Sequence, residues 1–192
     1  RRLCDELGLL LIFDEVQTGI GRTGQLWGWQ AGGVRPDVMT LGKGLGGGVP
    51  IGALLASERA SCFAPGDQGG TYHGNPLVCA AALAVLEAVT ASGFLEQVRA
   101  RGEQLQQGLA AIAQALGTAP VRGRGLLLAL DLPQPEQAAQ LAEALRLPAR
   151  EGDPGLLVNA VRPQRLRFVP ALNITADEVA LALRLLRGGL GL

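Results

Sequence analysis

Apolar and polar positions alternate along this chain in two rhythms, one of short unbroken runs and one of helical spacing. Leu9-Leu10-Leu11-Ile12-Phe13 is a continuous apolar run closed by Asp14-Glu15, the pattern of a strand buried on both faces within a parallel sheet. Asp37 to Leu41 and Ile51 to Ala56 read as two further short strands, and they flank the glycine-dense stretch from Leu41 to Gly48. Gly19 to Gly33 is too rich in glycine for a regular element and reads as loop. Asn75-Pro76 then opens a helix from Leu77 to about Thr90, with proline in the first turn, where its missing N–H is no loss. Ser92-Gly93 breaks that helix, and Phe94 to Leu116 repeats apolar residues at the spacing of a second, amphipathic helix.

Beyond Gly117 the pattern predicts a strand over Leu126 to Leu132, a helix over Pro135 to Leu145, and short strands at Leu156 to Ala160 and Arg165 to Val169. Thr175-Ala176-Asp177-Glu178 has the spacing of a capping box and opens the last helix. These elements imply an α/β class protein with a boundary near Ser92. Residues 1–92 form part of a larger α/β domain, and residues 93–192 form a small α+β domain. Arg1 to Leu7 has no cap and reads as the end of a helix already under way, so the chain is expected to be a fragment of a longer one.

Composition narrows the field by exclusion. The formal charge is zero, so no basic excess exists to neutralise phosphates, and nucleic acid is set aside as a partner. The Leu9–Phe13 run is too short to span a bilayer and is bracketed by carboxylates, so neither a membrane segment nor a signal peptide is expected. The three cysteines, Cys4, Cys62 and Cys79, are far apart and lack C-x-x-C spacing. That fits the reducing cytoplasm better than a disulfide framework or a zinc site. His73 is the sole histidine, which removes histidine triads and most metal sites, and no metal is expected.

Against that background one residue stands out. Lys43 is the only lysine among sixteen arginines. A guanidinium is never deprotonated and cannot serve as a nucleophilic amine, so a lysine kept among glycines points to amine chemistry. Two segments, Gly19-Gly21-Gly24 and Gly42-Gly44-Gly47, fit G-x-G-x-x-G, but neither joins a strand directly to a helix as dinucleotide binding needs. The phosphate loop of nucleotide hydrolases fails too, because Gly44 follows Lys43 where serine or threonine is required. Asp14 and Glu15 point to opposite faces of a strand and cannot share a site. Asp14 and Val16 do share a face, at the carboxyl end of a strand, where open α/β sheets bind ligands.

A strand-end aspartate, a glycine-set lysine and a Gly-Thr turn before a helix together suit pyridoxal phosphate. That cofactor needs a lysine amine and an acid opposite its ring nitrogen, and helix N-termini supply donors for its phosphate. Three stretches carry a family resemblance: Ile12 to Gly19 with Gly21-Arg22-Thr23-Gly24, Pro36 to Gly44, and Gly70 to Pro76. In order and spacing they resemble the class-III pyridoxal-phosphate aminotransferases, most strongly from Leu9 to Ala82. The resemblance implies part of the large fold-type-I domain followed by a small C-terminal domain.

It also implies roles residue by residue. Lys43 would bind the cofactor aldehyde as an imine, and Asp14 would pair with the ring nitrogen. Val16 would pack on the ring face, Gln17 would lie near the phenolic oxygen, and Glu15 joins the cofactor-binding set. Thr71 would reach the cofactor phosphate of the neighbouring subunit in a homodimer with shared active sites. Arg167 would grip the carboxylate of the small amino-acid and 2-oxo-acid substrates, while Arg165 falls out of register and reads as a surface charge. Family members often carry serine or threonine before the phosphate threonine. Gly70 stands there in this chain, so that substrate contact is lost or left to the backbone. The family is longer than this chain, and its preceding half holds the other phosphate loop and the aromatic that stacks on the ring.

Overall fold

A computed structural model describes residues 1–148, 152 and 154–192. The chain divides into two compact units, Arg1–Leu95 and Glu96–Leu192.

The first unit begins with the short helix α1 (Arg2–Glu6) and a three-stranded sheet in the order β1 (Ile12–Asp14), β2 (Val38–Leu41), β3 (Ala53–Ala56). β1 and β2 run parallel, with Asp14 beside Thr40, whereas β2 and β3 are antiparallel. Asp37 fixes the entry to β2. Its Oδ2 accepts from the Leu11 N–H at 2.8 Å and from Arg1 at 2.7 Å, and these bonds, the backbone one foremost, hold the carboxyl below its ordinary pKa. The N-terminal run departs from the buried strand that its sequence predicts. Only Ile12 and Phe13 of that run are in β1, and Leu9, Leu10 and Ile12 are exposed. The physical reason is cover: an apolar run is buried on both faces only where other elements lie over it, and among the described residues β1 pairs with β2 alone.

Helix α2 (Pro76–Thr90) follows. Asn75 Oδ1 caps it by accepting from the N–H groups of Leu77 at 3.0 Å and Val78 at 3.4 Å, and Pro76 occupies the first turn as expected. Val85 of this helix packs on the glycine turn that follows β2.

The second unit is carried by α3 (Phe94–Leu116), which begins in the residues just before it. An antiparallel sheet follows in the order β4 (Arg122–Arg124), β5 (Leu127–Asp131), β7 (Arg165–Phe168), β6 (Asn159–Val161), together with α4 (Gln137–Leu145) and α5 (Ala176–Leu190). Alternation along β5 is strict, with Leu128 and Leu130 buried, and Leu166 of β7 pairs with Leu130. Val98, Leu109 and Ile112 of α3 are buried as well. The capping box at α5 is present: Thr175 Oγ1 accepts from the Glu178 N–H, and Glu178 Oε2 accepts from the Thr175 N–H. Two sequence expectations shift here. The strand expected at Leu156 to Ala160 forms three residues later, and Leu157 is exposed. β4, a polar Arg-Gly-Arg segment, was invisible to an apolar pattern.

Candidate active site

The carboxyl ends of the parallel strands β1 and β2 lie side by side, and the chemistry-bearing residues of the first unit leave from them. Asp14 ends β1. Its Oδ1 accepts from the Val16 N–H at 3.0 Å and from the Thr40 hydroxyl of β2 at 3.1 Å. Two donors on one oxygen orient an otherwise exposed carboxylate.

Lys43 opens the tight turn after β2 and has φ of 43°. A lysine in the left-handed region is disfavoured, at a cost of roughly 1–3 kcal/mol, and such residues gather at functional sites. Its side chain is exposed, and none of the ion pairs among the described residues involves it. The turns after β1 and β2 touch: a Cβ placed on Gly42 would lie 3.4 Å from Val16 Cγ1. Asp14, Val16, Gln17 and Lys43 therefore share one end of one sheet.

Glu15 goes elsewhere. It is the buried charged residue among those described, 4% exposed. Its Oε2 accepts from the Thr18 hydroxyl at 2.5 Å and the Gly28 N–H at 2.9 Å, and its Oε1 accepts from the Trp29 N–H at 2.7 Å. With both oxygens committed to the glycine-rich loop, the side chain is turned away from the Asp14 face. Neighbours on a strand face opposite ways, and the Glu15 carboxylate serves the loop.

Thr71 and Gly70 lie in an exposed turn closed by the His73 N–H donating to the Gly70 carbonyl at 3.2 Å, just before α2. A Cβ at Gly70 would stand 2.7 Å from the His73 ring, so the imidazole fills the space that a larger residue would need. No hydrogen bond among the described residues joins this turn to Asp14 or Lys43.

Arg167 belongs to β7 in the second unit, opposite Ala129 and Asn159. Its Nε–H is buried with no hydrogen-bond partner, and it lines a cavity of about 380 Å³ with Leu156, Asn159, Phe168 and Ile174. An orphaned guanidinium donor costs about 1–3 kcal/mol or more, and a carboxylate would satisfy it. Arg165, two residues away, is spent otherwise. Asp131 takes its Nε at 2.6 Å and also binds Arg122, which makes Arg165 an ion-pair partner rather than a bare surface charge. The larger groove of about 770 Å³ along α5 contains none of the residues above.

The family model "Aminotransferase class-III" matches residues 1–188. The chain belongs to the class-III aminotransferases. It is 52% identical to acetylornithine aminotransferase 2 of Bordetella parapertussis over 188 residues, covering 98% of this chain and 46% of that protein. It is 50% identical to the acetylornithine aminotransferase of Ralstonia nicotianae, covering 97% of this chain and 46% of that protein. Among solved structures, an N-acetylornithine aminotransferase from Stenotrophomonas maltophilia is 39% identical with a TM-score of 0.83, covering 100% of this chain and 49% of that one. An amine transaminase from an uncultivated Pseudomonas species, in its pyridoxal-phosphate-bound form, is 34% identical with a TM-score of 0.88, covering 100% of this chain and 46% of that one. The fold is thus that of part of a fold-type-I α/β aminotransferase, and the chain spans about half the length of the curated relatives it matches. No single helix among the described residues is long and apolar enough to cross a membrane.

Proposed function

We propose that this chain serves the pyridoxal-phosphate-dependent transfer of the δ-amino group of N2-acetyl-L-ornithine to 2-oxoglutarate, giving N-acetyl-L-glutamate 5-semialdehyde and L-glutamate, a step of arginine biosynthesis, within a protein that supplies the remainder of the fold. The observation that carries the chemistry is the meeting of Asp14 and the strained, unpaired Lys43 at the carboxyl end of two parallel strands. The naming of relatives at about half identity supports the substrate.

The residues present fit the cofactor. Lys43 is an exposed amine, Asp14 is an oriented acceptor, and Arg167 has a buried donor awaiting an anion. When bound, pyridoxal phosphate supplies an aldehyde for amines and a ring that accepts the electrons left by a departing proton. Asp14 would hold the ring nitrogen protonated, Val16 would face the ring and Gln17 its phenolic oxygen. Lys43 Nζ, once released as a free amine, would take the substrate proton and return it one position along. Arg167 offers a planar fork to a carboxylate, which both the amino acid and the oxo acid carry. Thr71, on its exposed turn, suits a contact with the cofactor phosphate of a second subunit in a cytosolic homodimer.

Likeness to an amine transaminase favours a second reading, in which the same machinery takes another ω-amine such as succinylornithine, ornithine or 4-aminobutyrate. Turnover of N-acetylornithine and 4-aminobutyrate by the full-length protein separates the two. The first reading expects a clear preference for N-acetylornithine, and a strong preference for 4-aminobutyrate would overturn it.

A further inference from the structure

We propose that Glu15 is a positioning residue whose carboxylate, by drawing in Thr18, Gly28 and Trp29, sets the placement of Asp14 and Gln17 on either side of it. The inference rests on the reading of Asp14 and Gln17 as ring contacts.

Five hydrogen bonds meet at this residue. Its backbone N–H donates to the Thr40 carbonyl of β2 at 3.0 Å, and its carbonyl accepts from the Gly19 N–H at 3.0 Å. Its side chain takes the three loop donors described above. One residue thereby joins the sheet, the first turn after β1 and the far end of the glycine-rich loop.

The side-chain chemistry is selective. All three partners are donors, so the centre needs a group that only accepts. A glutamine would turn its amide NH2 toward at least one N–H, leaving two donors facing each other in a buried place. An aspartate is one methylene shorter and could not reach Gly28 and Trp29 from the same backbone position. The loop closes tightly on the carboxylate, since a Cβ at Gly28 would stand 2.9 Å from Glu15 Oε2 and 3.0 Å from Thr18 Cβ.

Asp14 depends on this arrangement. Its Oδ1 is oriented by the Val16 N–H and the Thr40 hydroxyl, and Glu15 lies between Asp14 and Val16 with its own N–H on the Thr40 carbonyl. Opening the turn at Glu15 would alter both partners of the Asp14 carboxylate.

The test uses the full-length holoenzyme and the variants Glu15→Gln, Gly28→Ala and Thr18→Val. Borohydride labelling of Lys43 in the wild type comes first, then the visible absorbance of bound cofactor, and kcat and KM measured separately. In Glu15→Gln and Gly28→Ala, kcat should fall about 10- to 100-fold, the range for partners that orient a site's direct contacts, with KM for the amine little changed and the cofactor band shifted. Where either variant does not fold, Thr18→Val, which deletes one donor, should show the same pattern at smaller size. A labelled Lys43 together with wild-type kcat and absorbance in the folded variants would overturn the role of Glu15 alone, as would a loss that tracks thermal stability only. Absence of the label from Lys43 would overturn the reading of the site, and this inference with it.

Discussion

The two units of this chain are built from similar proportions of apolar residues but use them differently. The ten largest side chains that are essentially inaccessible among the described residues, Leu109, Leu130 and Leu166 among them, all lie in Glu96–Leu192. Of the fifteen large apolar side chains exposed among the described residues, eleven lie in Arg1–Leu95, including Leu10, Ile12, Leu54 and Phe63. The second unit closes its own core. The first presents apolar strand faces and gathers its polar organisation at one end of the sheet, around Asp14, Glu15 and Lys43. The well-buried core lies in the second unit, and the proposed cofactor contacts lie in the first.

The largest expected effect exploits that contrast with one substitution in each unit. Leu130→Ala, at a site of no exposure, should cost about 2–5 kcal/mol by denaturant unfolding, through lost transfer energy and the cavity left behind. Leu54→Ala, 60% exposed, should cost less than about 0.5 kcal/mol. Equal losses would erase the distinction. Produced alone, the 192-residue chain should bind a hydrophobic dye at the first unit's open faces and tend to aggregate. A soluble chain that binds no dye would contradict the contrast.

Helix caps should be indifferent to the contrast. Thr175→Ala in the second unit and Asn75→Ala in the first each remove a side-chain acceptor from helix N–H groups. Each should cost about 1 kcal/mol, read by thermal unfolding of the variants.

How much of this was legible in the sequence depends on what kind of signal each element left. α3 over Phe94–Leu116 and the Thr175 capping box were readable, because helical periodicity and side-chain capping are local. The strand-end position of Asp14 and the glycine setting of Lys43 were readable for the same reason. The exposure of Ile12 was not, since an apolar run implies two covered faces and cannot say whether the covering residues belong to the chain. β4 carried no apolar alternation to detect. The loop partners of Glu15 were hidden, because Gly28 and Trp29 lie across a loop and donate through the backbone, which no side-chain pattern reveals. The ion pair of Arg165 was likewise hidden, since Asp131 is distant in sequence and reaches it only through strand pairing.

The smallest expected effect is a pH dependence confined to the second unit. The Arg165 hydrogen bond, aided by the charges of Arg165 and Arg122, holds the Asp131 carboxyl below its ordinary pKa. A folded-state pKa below the unfolded one contributes stability that is present above the unfolded value, about 3.9, and is lost as pH falls through the folded value. Unfolding measured from neutral pH down through that range should show a fall that Asp131→Asn removes. A variant with an unchanged acid slope would assign that loss to other carboxylates.

The central claim, that Lys43 is the amine of a cofactor site built at the ends of β1 and β2, is tested most directly by borohydride reduction of the full-length holoenzyme followed by peptide mapping. The account predicts a single reduced cofactor on Lys43, and in Lys43→Arg no label and no turnover, because a guanidinium keeps the charge but cannot join the aldehyde. A label on any other lysine, or turnover that survives in Lys43→Arg, would contradict it.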